Sequence, residues 1–249
     1  MSGTVRDVVI VGAPRSGTSM LAGLFVDAGH HAGRRLIPPT PSNPAGFHED
    51  LDVNAANDDL LGALDHASWP GTMAPARRLR WLGAYDGWVR GPAPVDVVAP
   101  LVPGRPFVLK DPRFCYTLPA WGEALGDVVV VVIVRHPAEV AASIRSMRER
   151  EPETFEGFDV TDAHLEAMWT AMHRAVLGWC DVAAPGPVVF VDCDDVRSGA
   201  ALPRLAEVSG VDLLARTVQP GLHRERPARL DPDGDQGELL ALLRERIGS

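Results

Sequence analysis

The stretch Gly12-Ala13-Pro14-Arg15-Ser16-Gly17-Thr18-Ser19 follows an apolar run, Val8-Val9-Ile10-Val11, and opens a helical pattern, Met20-Leu21-Leu24-Phe25. A strand that feeds a glycine turn into a helix N-terminus commits the chain to a parallel α/β arrangement. It also offers an anion both backbone N–H groups and the positive end of a helix dipole. The spacing fits G-x-x-x-x-G-K-[ST], except that Thr18 stands where nucleotide kinases place lysine. In those enzymes the lysine bridges the outer phosphates and the hydroxyl residue helps hold Mg²⁺. Thr18 supplies no cation. Arg15 supplies one from within the loop, and its planar fork suits an oxyanion.

A formal net charge of −9 excludes a sequence-wide attraction to nucleic acid or to an anionic membrane, so an anionic ligand needs a local cluster of basic residues. Of the 24 Lys plus Arg, only Lys110 is lysine. The longest apolar run, Val128 to Val134, is too short to cross a bilayer as a helix. Met1 to Asp7 carries no signal-type apolar region, so the expected location is the cytoplasm. Cys115, Cys180 and Cys193 have no metal-site spacing and are expected reduced and buried, with no metal required.

Val8–Val11 reads as a buried parallel strand and Ser19–Ala28 as the helix after it, stopped by Gly29. A Pro/Gly/His-rich connection fills 30–48, and a helix starts at Glu49 or Asp50, with Asp50 reading as its cap. Residues 68–106 are rich in Pro and Gly and carry Trp69, Trp81, Tyr85 and Trp88. A helical piece is expected around 76–90, and the remainder as a lid or acceptor-binding insertion. Strands follow at 107–109, 128–134 and 188–191, with helices over 138–150, 163–183, 199–209 and 238–247. The alternation predicts an α/β fold over 1–249: a single doubly wound parallel sheet flanked by helices, of the P-loop nucleotide-binding type.

In such sheets ligands sit beyond the carboxyl ends of the strands. Three strand ends here are chemically loaded: the glycine loop, Lys110-Asp111-Pro112-Arg113, and Arg135-His136-Pro137. Ser143 lies eight residues after Arg135, about two turns into the next helix, where its hydroxyl and the guanidinium can hold one phosphate. His136 reads as a local packing or hydrogen-bonding residue.

Pro14 to Ser19 resembles the 5′-phosphosulfate loop of the PAPS-dependent sulfotransferases, in the variant with arginine in place of lysine. Val134-Arg135-His136-Pro137 with Ser143 resembles their 3′-phosphate motif, and the two motifs stand in order, about 120 residues apart. Asn43 to Glu49 and Lys110 to Arg113 resemble a bacterial branch of that family. The resemblance implies transfer of a sulfuryl group from 3′-phosphoadenosine 5′-phosphosulfate (PAPS) to a hydroxyl or amine of a small-molecule or sugar acceptor. It implies donor binding by Arg15, Ser16, Gly17, Thr18, Ser19, Arg135 and Ser143.

Lys110 then matches the lysine of the family's K-x-H element, while Pro112 stands at the histidine position. Glu49 is the expected general base, with His48 as the other candidate. For the adenine and the rim of the 3′-phosphate the candidate is Gly221 to Pro227, with Arg224 the residue chosen, although the loop lacks the family's R-K-G signature. Two other readings stay open: a P-loop small-molecule kinase, for which Asp192, Asp194 and Asp195 follow a strand, and a catalytically silent nucleotide-binding protein. The acceptor and a homodimeric state are not fixed by these residues.

Overall fold

The structure is a computed structural model that describes residues 4–64, 77–213 and 232–249. Strands β1 (Val8–Val11), β2 (Val108–Lys110), β3 (Val129–Val134) and β4 (Val188–Asp192) form one parallel sheet in the order β2-β1-β3-β4. The helices are α1 (Thr18–Asp27), α2 (Leu51–Leu60), α3 (Val95–Val98), α4 (Phe114–Leu125), α5 (Pro137–Arg150), α6 (Asp162–Trp179), α7 (Cys193–Ser198), α8 (Leu202–Ser209) and α9 (Gly234–Gly248).

The unbroken β-branched runs are explained by burial on both faces. Val9, Val11, Val130, Val132 and Val134 join one core with Phe114 and Trp121 of α4, Trp169 and Trp179 of α6, and Leu240 of α9. Val8, Ile10, Val129, Val131 and Ile133 join another with Leu21 and Phe25 of α1, Val196 of α7 and Leu205 of α8. The sheet is doubly wound, as the element order predicts. No helix among the described residues is long and apolar enough to cross a membrane.

The register sets the shape of the rim. Ile10 pairs with Lys110 on one side and with Val131 on the other, so Arg135 stands four residues further along than Lys110. At a strand's rise that is a step of roughly 13 Å across the ends of adjacent strands.

Local differences from the sequence reading have identifiable causes. Helix α4 is hidden in the sequence by Pro119 and Gly122. Pro119 removes the donor for the Cys115 carbonyl four residues earlier, and Trp179 Nε1 donates to that oxygen instead, at 2.8 Å. The helix expected around 76–90 is a 3₁₀ turn over Arg77–Leu82. Beyond it the chain runs along α4, with Val89 N donating to Tyr116 O and Ala93 N to Ala120 O, each at 2.8 Å. Helix α6 stops at Trp179, and α7, a six-residue helix capped by Asp192, starts directly from β4.

Candidate active site

A cavity of about 830 Å³ opens along the carboxyl ends of the strands. Its lining includes Arg15, Gly17, Thr18 and Ser19 of the glycine loop, Glu49, Lys110, Arg135 and Ser143. Residues from distant parts of the chain thus meet at β1, where the strand order reverses between β2 and β3.

The glycine loop is shaped by its neighbours. A Cβ on Gly12 would stand 2.6 Å from the Ile133 carbonyl oxygen, so β1 leaves the sheet in contact with β3. Gly17, with φ at +90°, is the N-cap of α1, and a Cβ there would meet Cys193 Sγ at 2.8 Å. No side chain caps α1 and its first turn carries no acid, which leaves its positive end to a ligand. Ser16 Oγ is buried with no hydrogen-bond partner. A cradle that excludes a Cβ, an uncapped ten-residue helix and surrounding guanidinium groups fit a phosphate-bearing substrate.

Arg15 adopts positive φ, at 66°, a conformation that a non-glycine residue holds only when its surroundings impose it. The imposing contacts are visible. Arg15 Nε donates to Ser143 Oγ at 3.1 Å, and another guanidinium nitrogen donates to the Ser42 carbonyl at 3.0 Å. Glu151, a residue the sequence reading passed over, fixes Ser42 by accepting from its backbone N at 2.7 Å. Burial alone would raise the Glu151 pKa, but hydrogen bonds from Ser42 and Thr40 and the charge of Arg15 hold it below the ordinary value. Arg135 donates to the Arg15 carbonyl at 2.8 Å and to Glu139 at 2.9 Å. Arg15 therefore reaches across to the Arg135–Ser143 pair, linking the two anion motifs directly.

At the β2 end, Lys110 and Glu49 form a buried ion pair. Glu49 Oε2 also accepts from Asn54 Nδ2 of α2 at 3.1 Å. Glu49 is held from the residue beside it. Asp50 caps α2 through the backbone N of Asp52 at 2.8 Å and accepts from Arg34 and Arg35 N at 2.6 and 2.9 Å. Burial would raise the Asp50 pKa, and these amides outweigh it and lower the value.

Arg113 anchors the same strand end. Its Nε donates to Asp58 at 2.6 Å and a terminal nitrogen to Asp111 at 3.0 Å. Asn57 completes the network, donating to Asp111 at 2.8 Å and accepting from Thr117 at 2.7 Å and Trp121 Nε1 at 2.9 Å. Asp58 still has a raised pKa because burial outweighs the charge of Arg113. Asp111 and Arg113 were legible as a motif. Asn54, Asn57 and Asp58 lie on α2, the helix expected from Glu49 or Asp50 but with no role assigned to them there; Asn57 and Asp58 follow Asn54 by three and four residues, which brings them to its face.

His48 is not among the residues that line the cavity. Its ring turns toward α1, where Nε2 lies 3.3 Å from the Cβ position of Gly23. Burial and the nearby Lys110 charge lower its pKa. His136 acts locally, its Nδ1 accepting from Ala138 N at 3.3 Å as the cap of α5. Asp192 caps α7 and Asp194 pairs with Arg197, so these acids are engaged in local structure. Trp81 lines the cavity, whereas Tyr85 is buried against Tyr116. Arg224, with the loop Gly221 to Pro227, and Trp69 lie outside the described residues.

The family model described as "Sulfotransferase family" matches residues 7–198. Among solved structures the chain is similar to the sulfotransferase domain from the curacin biosynthetic pathway, at 17% identity over 95% of this chain and 83% of that one, with a TM-score of 0.44. It is similar to the sulfotransferase domain of the Synechococcus PCC 7002 olefin synthase at 16% identity, over 98% and 97% of the two chains, with a TM-score of 0.45. Sulfotransferase STF1 from Mycobacterium tuberculosis H37Rv matches at 15% identity over 99% and 77%, with a TM-score of 0.47. No curated protein matches the chain.

Proposed function

The chain belongs to the sulfotransferase family, and we propose that it moves a sulfuryl group from PAPS to a hydroxyl or amine of a small-molecule acceptor. The observation that carries this reading is the single cavity in which the glycine loop, the Lys110–Glu49 pair and the Arg135–Ser143 pair meet.

In this reading the 5′-phosphosulfate lies on the loop and the α1 N-terminus, and Arg135 and Ser143 take the 3′-phosphate. Arg15 reaches Ser143 and serves the phosphates between the two motifs. The loop needs no lysine, because the transferred sulfuryl carries less charge than a phosphoryl group and fixed N–H donors and guanidinium groups suffice. The acceptor oxygen or nitrogen attacks sulfur in line with the 5′-phosphate oxygen. The new bond to sulfur forms as the bond from sulfur to that oxygen breaks, and the acceptor's proton passes to Glu49. Neutralising Glu49 removes the counter-charge of Lys110 as negative charge grows on the leaving oxygen. The ammonium is then available to that oxygen, which couples proton uptake to leaving-group stabilisation.

Thermal melting with 3′-phosphoadenosine 5′-phosphate (PAP), AMP and ATP–Mg²⁺ tests the donor. PAP is expected to give the largest shift, and Arg135→Ala or Ser143→Ala to erode the preference for PAP over AMP. A larger shift with ATP–Mg²⁺ would overturn the reading in favour of a kinase. No shift with any of the three would favour a silent protein.

A further inference from the structure

Glu151 closes α5 at its C-terminal end and is buried, yet it lines the same cavity as the glycine loop. Both features are unfavourable for a carboxylate. Burial strips its water, and a helix C-terminus carries negative partial charge. The compensation comes from the connection that precedes α2. Ser42 N donates to Glu151 Oε1 at 2.7 Å, and the Thr40 side chain and the charge of Arg15 act in the same direction.

Thr40 and Asn43 exchange backbone hydrogen bonds, at 3.3 and 3.0 Å, so 40–43 is a closed turn. It is pinned at three points. Glu151 holds the Ser42 N–H, the Ser42 carbonyl accepts from a terminal nitrogen of Arg15 at 3.0 Å, and Asn43 Nδ2 donates to Ser19 Oγ on α1 at 3.3 Å. Ser143, about two turns before Glu151 on α5, accepts from Arg15 Nε at 3.1 Å. A planar guanidinium held at two of its nitrogens has its plane fixed. Helix α5 thus grips Arg15 twice, directly through Ser143 and at one remove through Glu151 and Ser42. The backbone of Arg15, at a φ of 66°, has no preference of its own for this geometry.

Building on the PAPS reading, we propose that Glu151 is a positioning residue for donor binding: through Ser42 it holds the Arg15 guanidinium ready for the donor's phosphates. A carboxylate near a polyanion is tolerated because Ser42 and Thr40 engage its oxygens. Its effect is to order a long side chain before the donor arrives, which removes that cost from binding.

Calorimetric titration with PAP tests the role in the wild type, Glu151→Met, Glu151→Gln, Arg15→Ala and the double variant Arg15→Ala/Glu151→Met. Glu151→Met keeps the bulk and removes the oxygens, and it is expected to weaken PAP by about three- to tenfold. Glu151→Gln keeps an oxygen for Ser42 N and is expected to stay within about twofold of wild type. In the Arg15→Ala background the loss caused by Glu151→Met is expected to vanish, because its route is gone. The same loss in both backgrounds would show that Glu151 does not act through Arg15. A loss in Glu151→Gln as large as in Glu151→Met would exclude the route through Ser42, and unchanged affinity in Glu151→Met would show that Arg15 needs no anchor. Each of these three outcomes overturns the proposal. Failure of the wild type to bind PAP would overturn the donor reading, and the proposal with it. Melting without nucleotide confirms that each variant is folded, and Glu151→Ala replaces Glu151→Met, with the same expectation, if the longer side chain prevents folding.

Discussion

Glu49 and Lys110 are each almost fully buried, at 7% and 3% exposure, and each is the other's counter-charge. Two buried charges are tolerated because they are paired and because Asn54 satisfies a further Glu49 oxygen. In the proposed mechanism Glu49→Gln removes the proton acceptor, and it leaves the Lys110 ammonium without its partner. Turnover is expected to fall by ~10²–10⁴-fold, with PAP affinity within about threefold of wild type because the phosphate contacts lie elsewhere. The melting temperature should fall as well, since breaking a buried pair costs about 3–5 kcal/mol. Steady-state rates combined with PAP titration decide the matter, and near-normal turnover would remove Glu49 from the role of base.

At the scale of elements, the site depends on how α1 and α7 meet. Gly17 begins α1 in a left-handed conformation, and the first residue of α7, Cys193, fills the space that a side chain on Gly17 would need. The Cys193 thiol is a packing group rather than a nucleophile, since burial pushes its pKa up to about 11. Gly17→Ala combines a left-handed alanine, at about 1–2 kcal/mol, with a clash against sulfur, at about 1–3 kcal/mol. The expected result is a lower melting temperature and PAP affinity weakened by about tenfold or more. Adding Cys193→Ala should return the clash component but not the backbone component. A Gly17→Ala protein that melts like the wild type would show that the close approach is not real.

Over the whole molecule, acid stability is governed by buried histidines. His173 of α6 is fully buried, its ring 4.2 Å from that of Trp169, and burial lowers its pKa to about 4 from the ordinary 6.5. Nδ1 donates to the Trp169 carbonyl at 2.8 Å, which leaves Nε2 bare and the ring neutral. For a group whose folded pKa is depressed in this way, the unfolded chain binds the proton first. Stability is complete above pH 6.5 and is lost as the pH falls toward 4, with His173 contributing a loss of about 2 kcal/mol by pH 5. His30, His48 and His164 are lowered by burial too and act in the same direction. Asp58, raised by burial, opposes them in part. Urea midpoints are expected to drop between pH 7 and pH 5, and His173→Gln to flatten that slope. A midpoint that stays constant over this range would refute the account.

Much of this was legible in the chain because the signals are local. A run such as Val129–Val134 is buried on both faces whatever surrounds it, and a glycine turn between a strand and a helix forms from its own backbone preferences. The parallel sheet, the loop, the pairing of Arg135 with Ser143 and the Asp50 cap rest on such patterns, whereas the candidacy of Glu49 and the role expected of Lys110 came from the resemblance to the family. Helix α4 was not legible, because Pro119 breaks the local rule and the compensating donor, Trp179, lies sixty-four residues beyond the carbonyl it serves. The same holds for Glu151 behind Ser42, for Asn57 between Asp111 and Trp121, and for Arg197 on the cavity wall. The turning of His48 toward α1 is likewise a packing outcome. Sequence determined which groups could do chemistry, since residue type and short-range spacing fix charge, backbone freedom and helix ends. Tertiary structure decided which of them share a cavity, because the register of parallel strands and the close packing between helices are set by contacts far apart along the chain.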